Sequence, residues 1–188
     1  MFRQALTDIV CRLEQAKQQG LLRGYALVGG FAVSAWGVPR ATHDIDFALT
    51  LGPVDPSSFA AAVRGQYSPA APDDPLCGVI TTSAATTGQA IPIQMILLPP
   101  RFTTVIFEGL QFLPIFDCRV PIVSWQILIL LKLYAGGPQD LLDAQQLLAI
   151  QRPDPGTLRA IHSLAEAVNL TQEFAALIEQ VGKTGRWM

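Results

Sequence analysis

Residues 28–47 read VGGFAVSAWGVPRATHDIDF, and they combine a pair of glycines with a pair of acidic residues. A short β-prone run leads into Gly29 and Gly30, and a short helix-prone run follows them. A second β-prone run begins at Asp44 and Asp46. The stretch therefore predicts a strand, a glycine turn, a short helix, and a strand that starts with two carboxylates.

The acidic pair has the spacing that places two side chains on one face of a strand. Residues i and i+2 of a strand point the same way, so Asp44 and Asp46 should project side by side, about 6–7 Å apart at Cα. Their mutual repulsion is costly unless a cation lies between them, and hard carboxylate oxygens suit Mg²⁺. Two polar residues on an exposed strand face remain the alternative for this pair taken alone. Ile45 and Phe47 should point into the core.

The glycine pair is a candidate anion site. The backbone N–H groups of Gly29 and Gly30 carry no Cβ obstruction, and the start of a helix reinforces their attraction for anions. An ordinary strand-to-helix turn is the alternative. A nucleoside triphosphate needs amides for its phosphates and carboxylates for its metal ion. The occurrence of both elements in one short stretch therefore favours a phosphate-and-metal site.

With these motifs, the sequence resembles the polymerase-β-type nucleotidyltransferase superfamily. Within it, the closest resemblance is to small prokaryotic nucleotidyltransferases related to abortive-infection and toxin–antitoxin proteins. Their pattern GG-x-A followed by G-x-x-R-x-T-x-D-I-D is matched by Gly29, Gly30, Ala32, Gly37, Arg40, Thr42, Asp44, Ile45 and Asp46. Their KL-x-A…D-x-x-D element is matched by Lys132, Leu133, Ala135, Asp140 and Asp143. The resemblance covers residues 25–50 and 124–148.

The resemblance implies a role for each matched polar residue. Asp44 and Asp46 would hold Mg²⁺ and serve catalysis together with Lys132. The residues implied to contact the nucleotide or its phosphates are Gly29, Gly30, Arg40, Thr42, Asp140 and Asp143. A surface arginine and a β-favouring threonine are the alternatives at positions 40 and 42. His43 should point away from the carboxylate face.

Lys132 is the only charged residue in the apolar run 122–135. A buried lysine without a partner is costly, so Lys132 either reaches the surface or points into a cleft. The resemblance favours the cleft, where Lys132 would meet phosphate or pair with Asp140 or Asp143. Those two acids are three residues apart on one predicted helix face. Acidic residues placed near a helix N-terminus are the alternative interpretation.

The third acid of the family is missing from its expected position. In the family this acid lies inside an apolar strand, and in the matching run, residues 91–98, Gln94 occupies its place. Glutamine has no charge and cannot act as a general base. Asp73, Asp74 and Asp117 are candidate substitutes in predicted loops.

Two functions therefore remain open. In the first, an Mg²⁺-dependent enzyme transfers a nucleoside monophosphate from a nucleoside triphosphate to an acceptor hydroxyl, in a toxin–antitoxin or phage-defence setting. The acceptor is a tRNA end, a protein or a small molecule. In the second, the chain has lost this chemistry and binds a nucleotide or a partner protein.

The remaining sequence predicts an α+β nucleotidyltransferase fold, a small mixed sheet flanked by helices and followed by a helical bundle. Residues 1–120 form the predicted core, and residues 121–188 form a helical region packed on it. The predicted helices are residues 2–19, 31–36, 57–67, 124–135, 139–150, 156–168 and 171–181. The predicted strands are residues 25–28, 45–51, 76–83 and 90–98, with further short strands within 109–120.

Composition excludes several classes of protein. Hydrophobic residues make up 50% of the 188 residues and charged residues only 15%, which excludes a disordered chain and favours a homodimer or a cognate partner. The net charge of −2 provides no basic footprint for extended duplex nucleic acid. Three scattered cysteines and two histidines offer no zinc spacing, and the cysteines are predicted to be buried thiols.

The sequence predicts no membrane attachment. The N-terminal twenty residues lack the apolar core of a signal peptide. The apolar run 122–135 is shorter than the roughly 20 residues that a membrane span needs, and Lys132 interrupts it. The predicted location is the cytoplasm.

Overall fold

The computed structural model describes residues 1–72, 74–86 and 89–183, and it mixes helices and strands up to residue 122, with helices only thereafter. The helices are α1 (Phe2–Gln18), α2 (Gly29–Ala35), α3 (Pro56–Ala62), α4 (Pro100–Glu108), α5 (Trp125–Ala135), α6 (Pro138–Gln151), α7 (Pro155–Ala167) and α8 (Thr171–Lys183). The strands are β1 (Leu22–Val28), β2 (Ile45–Leu51), β3 (Gln66–Pro69), β4 (Gly78–Thr86), β5 (Gln89–Leu97), β6 (Gln111–Ile115) and β7 (Cys118–Ile122). The predicted α+β class is confirmed.

All of these strands form one mixed sheet in the order β3-β4-β5-β2-β1-β7-β6. Strand β2 is antiparallel to β1 and parallel to β5, so these three strands form the centre of the sheet. In this register Asp46 lies beside Val28 on one side and beside Gln94 on the other. The sheet thereby brings three separate segments of the chain together at one point.

The alternation along β2 separates the core from the cleft. Ile45 and Phe47 have no exposed surface, and the Phe47 ring packs against Tyr25 with the ring centroids 5.7 Å apart. Helix α1 contacts β1, β4 and β7 and covers this part of the core. Asp46 and Ala48 point to the opposite face and line a cavity. The period-2 rule for strands therefore predicted both faces of β2.

Helix α5 connects the C-terminal helices to the sheet. The Ser124 hydroxyl accepts a hydrogen bond from the N–H of Ile127 and caps the helix, and Gly136 ends it in the left-handed conformation with φ +67°. Helix α5 contacts α2 and also α6, α7 and α8. The predicted boundary after residue 120 lies inside β7, which pairs with β1 as part of the sheet. Among the described residues, no helix has the length and apolar character needed to cross a bilayer.

One predicted helix has different bounds in the structure, and one helix was not predicted. The helix predicted for residues 57–67 ends at Ala62, because Arg64 takes a positive φ of 57° and β3 begins soon afterwards. Its N-cap is Asp55, since the Asp55 carboxylate accepts hydrogen bonds from the N–H groups of Ser57 and Ser58. The sequence prediction also missed α4. This helix starts at Pro100, since proline is tolerated in the first turn of a helix although it usually marks a break.

The prediction of buried cysteines was largely wrong. Cys11 and Cys77 are exposed, and Cys118 is half-buried. Cys11 lies on the outer face of α1, and Cys77 lies just before the sheet. A single cysteine in a sequence carries no periodicity that would reveal its face.

Candidate active site

A cleft of about 490 Å³ opens where β1, β2 and β5 face α5. Its polar lining residues are Arg40, Asp44, Asp46, Asp74, Gln94, Lys132 and Asp140, together with the backbone of Gly29 and Gly30. The structure thus gathers most of the predicted site residues in one place. Asp143 and Thr42 lie directly behind this lining, and His43 is exposed outside it.

Asp44 and Asp46 project into the cleft from the start of β2. The Thr42 hydroxyl donates a 2.8 Å hydrogen bond to Asp44 Oδ1, which orients that carboxylate. Burial raises the pKa of Asp46 to about 6, and the neighbouring Asp44 carboxylate adds to the rise. Lys132, Arg40 and the N–H of Gly30 oppose it. The two carboxylates therefore repel each other in a partly desolvated site, the situation that a bound cation relieves.

The glycine pair lies directly beneath Asp46. Gly29 has φ +65°, and a Cβ at this position would overlap the Asp46 carboxylate. A Cβ at Gly30 would lie 2.6 Å from Arg40 Nη1 and 2.8 Å from Thr42 Oγ1. Both glycines are thus required by close approach of polar side chains. The N–H of Gly30 donates a hydrogen bond to the Asp46 carboxylate. One of the two predicted anion-binding amides therefore already has an anionic partner within the protein.

Gly29→Ala is therefore expected to cost about 1–3 kcal/mol more than Gly20→Ala, because it adds steric overlap to backbone strain. Gly20 is the matched control, since it has φ +74° with nothing within 4 Å of an added Cβ. Both variants carry the same left-handed penalty, so their difference isolates the contact with Asp46. Urea unfolding measures both; equal midpoints for the two variants would contradict the close approach.

Lys132 occupies the centre of a buried ion network. Its Nζ lies 2.7 Å from Asp140 Oδ1 and 2.9 Å from Asp143 Oδ2, and only 6% of the residue is exposed. Arg40 Nε lies 3.4 Å from the same Asp143 oxygen. Gln139 donates to the other oxygen of Asp143 at 3.0 Å. The network ties α5, α6 and the loop before β2 together beside the carboxylate pair.

Asp143 differs from Asp140, the other acid that was predicted to contact the nucleotide. It is completely buried and does not line the cleft, whereas Asp140 is partly exposed and does. Asp143 therefore acts on the cleft by holding the cations Lys132 and Arg40. The sequence interpretation missed the contribution of Gln139, which no charge pattern reveals.

Gln94 lies at the expected position of the third acid. It is the register partner of Asp46, and its Nε2 lies 3.5 Å from Asp44 Oδ2. Of the candidate substitutes, Asp74 lines the cleft, but Asp117 is exposed and pairs with Arg3 at 2.6 Å, remote from the cleft lining. Asp73 lies outside the described residues. The cleft therefore has no carboxylate on β5.

The described residues offer few donor groups for a metal ion in the cleft. Within residues 1–72, 74–86 and 89–183, no group of three or more His, Cys, Asp or Glu side chains has metal-binding geometry. The pair Asp44 and Asp46 remains, with the amide of Gln94 beside it. Mg²⁺ commonly uses one or two protein carboxylates and completes its shell with waters and substrate phosphates. The two carboxylates are therefore enough protein donors for one Mg²⁺, and the described residues do not supply the donors for an all-protein cage.

Comparison with solved structures identifies the fold. The chain is similar to an antigenic nucleotidyltransferase-like protein from Paracoccidioides brasiliensis, with a TM-score of 0.52 and 14% identity over 94% of this chain and 91% of that one. It is also similar to the antibiotic-resistance factor ANT(2'')-Ia, with a TM-score of 0.51 and 14% identity over 93% and 94% of the two chains. No protein-family model and no curated protein matches. The predicted nucleotidyltransferase fold is confirmed, and at this identity the likeness concerns the fold.

Proposed function

We propose that this protein transfers a nucleoside monophosphate from a nucleoside triphosphate to an acceptor hydroxyl, with Mg²⁺ as cofactor. The observation that carries this proposal is the close packing of Asp44 and Asp46 over the Gly29-Gly30 turn, opposite the cations Lys132 and Arg40. Two carboxylates with a repulsive interaction suit a metal ion, and the cations suit the phosphates. The nucleotidyltransferase fold of the chain supports the same reaction class.

In the proposed reaction the acceptor oxygen attacks the α-phosphorus in line and its hydroxyl proton passes to water, while the bond from the α-phosphorus to the bridging oxygen breaks and pyrophosphate leaves. Asp44 and Asp46 hold the cofactor, which when bound supplies charge neutralisation to the phosphates. Lys132 and Arg40 attract the phosphate oxygens, while Asp140 and the buried Asp143 keep those cations in position. Catalysis by such a site consists mainly of positioning and charge stabilisation.

A second function, binding without turnover, is favoured by Gln94 alone. An amide at this position cannot accept the acceptor proton, so a nucleotide-binding or partner-binding module is the alternative. Transfer of label from α-³²P-labelled triphosphates to total tRNA, to protein or to small-molecule hydroxyls tests the enzyme. A melting temperature that does not rise with Mg²⁺ and triphosphate together would contradict nucleotide binding in either function.

Gln94→Glu is expected to raise the transfer rate by about tenfold or more, part of the roughly 10²–10⁴-fold that a well-placed general base usually supplies. The new carboxylate would lie beside Asp46 in the register of β5 and β2. The steady-state rate with the best acceptor measures the effect, and Gln111→Glu at the exposed start of β6 controls for added charge. An unchanged rate in a folded Gln94→Glu protein would show that this position does not contact the acceptor.

A partner protein is also part of the proposal. Leu141, Leu142 and Ile150 on α6 remain 40%, 41% and 49% exposed, an apolar surface that a cognate partner or a second copy would cover. The toxin–antitoxin or phage-defence setting rests on the resemblance of residues 25–50 and 124–148. The mass of the purified chain in sedimentation equilibrium tests this surface. A dimer mass supports a second copy as the partner, and a monomer mass leaves a different protein as the partner.

A further inference from the structure

The cleft has two chemically different ends. Along β5 the lining changes from Gln94, the register partner of Asp46, through Ile96 to Leu98 just past the far end of the strand. Leu76 from the segment before β4 also lines the cleft, and its neighbour Cys77 is hydrogen-bonded to Leu97 at that end of β5. A ligand that fills the whole cleft therefore has a phosphate-like end and an apolar body.

The length of the cleft matches a nucleotide. Gln94 lies beside the carboxylate pair, and Leu98 lies at the apolar end, four residues further along the chain. Four residues of extended backbone span roughly 13 Å. With the triphosphate at Asp44 and Asp46, this distance is sufficient to place the base between the apolar side chains.

One carboxylate lies at the apolar end. Asp74 lines the cleft there, and within the described part of the chain it forms no ion pair. Its Oδ1 accepts a 2.8 Å hydrogen bond from the N–H of Leu76, and its Oδ2 forms no hydrogen bond among the described residues. By contrast, Asp140 is already paired with Lys132. Asp74 is thus the cleft carboxylate with free acceptor capacity at the end where a base would lie.

The segment that carries Asp74 is folded onto the cleft wall. The Tyr134 hydroxyl of α5 donates to the carbonyl of Pro75, and the N–H of Cys77 donates to the carbonyl of Leu97 at 2.7 Å. The Tyr134 ring is itself packed against Phe102, with the centroids 4.6 Å apart. The position of Asp74 is therefore set by α5 and β5, the same elements that line the cleft.

The chemistry of a free carboxylate selects among the bases. An ionised carboxylate only accepts hydrogen bonds. Guanine offers two adjacent donors, N1–H and the 2-amino group, which match the two oxygens of one carboxylate. Adenine and cytosine offer a single amino group beside a ring acceptor, which would face the carboxylate unfavourably.

We propose that Asp74 and the apolar end of the cleft bind guanine, so that GTP is the preferred nucleotide. This inference rests on the proposed function, because it places the triphosphate at Asp44 and Asp46. Asp74 accepts the N1–H and 2-amino protons, and the flat purine packs against the apolar wall. Asp74 is then the residue that determines base specificity.

The test compares GTP with ITP, which lacks only the 2-amino group, in the presence of Mg²⁺. Titration calorimetry of the purified protein is expected to show GTP binding about tenfold more tightly than ITP, the effect of one hydrogen bond to a charged group. Asp74→Asn keeps an oxygen that can accept the hydrogen bond from the Leu76 N–H, but its NH₂ group would face the N–H donors of guanine. The preference for GTP over ITP should therefore fall below about twofold. Asp117→Asn, an exposed aspartate elsewhere, should leave the preference unchanged.

The outcomes separate this inference from the proposed function. If GTP and ITP bind equally, or if Asp74→Asn retains the tenfold preference, guanine recognition by Asp74 is overturned while nucleotide binding stands. If ATP binds more tightly than GTP, the inference fails in the same way. If no triphosphate binds with Mg²⁺, the proposed function fails and this inference fails with it.

Discussion

Lys132→Met is expected to destabilise the protein by about 3–5 kcal/mol, the usual cost of removing one partner from a buried ion pair. Methionine fits the space of the lysine stem but leaves the completely buried Asp143 with only Arg40, 3.4 Å away, as its cation. Asp140 also loses its partner. The midpoint of urea unfolding, with an unchanged dependence on urea concentration, measures this loss.

Two further variants make the Lys132 prediction specific. Lys183→Met removes the exposed pair with Glu179 on α8, where both side chains are mostly in water, and should cost under about 1 kcal/mol. Combining Lys132→Met with Asp143→Asn should recover part of the lost stability, because the buried charge is then gone. An additive loss in the double variant would contradict the direct pairing of Lys132 with Asp143.

Residues with a strong local rule were predicted well from the sequence. The spacing of Asp44 and Asp46 predicted a shared strand face, and the structure has both lining the cleft. The helix predicted for residues 124–135 matches α5, which Ser124 and Gly136 begin and end through ordinary cap chemistry. In each case the information lies within a few neighbouring residues.

Features that depend on long-range contacts could not be predicted in the same way. Asp143 resembles an acid in the first turns of a helix, and its complete burial follows from contacts with Lys132 and Arg40, which lie in other segments. From the sequence, Asp73, Asp74 and Asp117 were equally good candidates for the third acid. In the structure, the Tyr134–Pro75 hydrogen bond and β5 place Asp74 at the cleft. The side on which a loop folds is decided by tertiary packing, which single-sequence patterns do not encode.

Asp46→Asn is expected to abolish nucleotidyl transfer and, at the same time, to stabilise the metal-free protein at neutral pH. The pKa of Asp46 rises from 3.8 to about 6 on folding, chiefly through burial and then through Asp44. Between these two values the folded state binds the proton that the unfolded state has released. The contribution of Asp46 to the free energy of unfolding is therefore fully present below pH 3.8. This contribution is lost as the pH rises through about 6, where the folded protein must ionise the buried carboxyl.

The loss at neutral pH amounts to up to about 3 kcal/mol, since one pKa unit corresponds to about 1.4 kcal/mol. Asparagine has the same shape and no charge, so in EDTA the variant should unfold at higher urea concentration than the wild type at pH 8, and at nearly the same concentration at pH 4. The opposite order at pH 8 would show that burial and the neighbouring Asp44 do not destabilise the ionised carboxylate.

The same change should remove function, because a neutral amide is a much weaker Mg²⁺ ligand than a carboxylate. A loss of at least about a thousandfold in transfer rate is expected, a size that corresponds to about 4 kcal/mol of transition-state stabilisation. In the metal-free protein Asp46 takes up its proton below about pH 6, so the affinity for Mg²⁺ should weaken as the pH falls through that value. If the protein becomes more stable when a proposed metal ligand is removed, that ligand is placed for binding and chemistry at the expense of folding. A carboxylate pair with a purely structural role would not show this gain in stability.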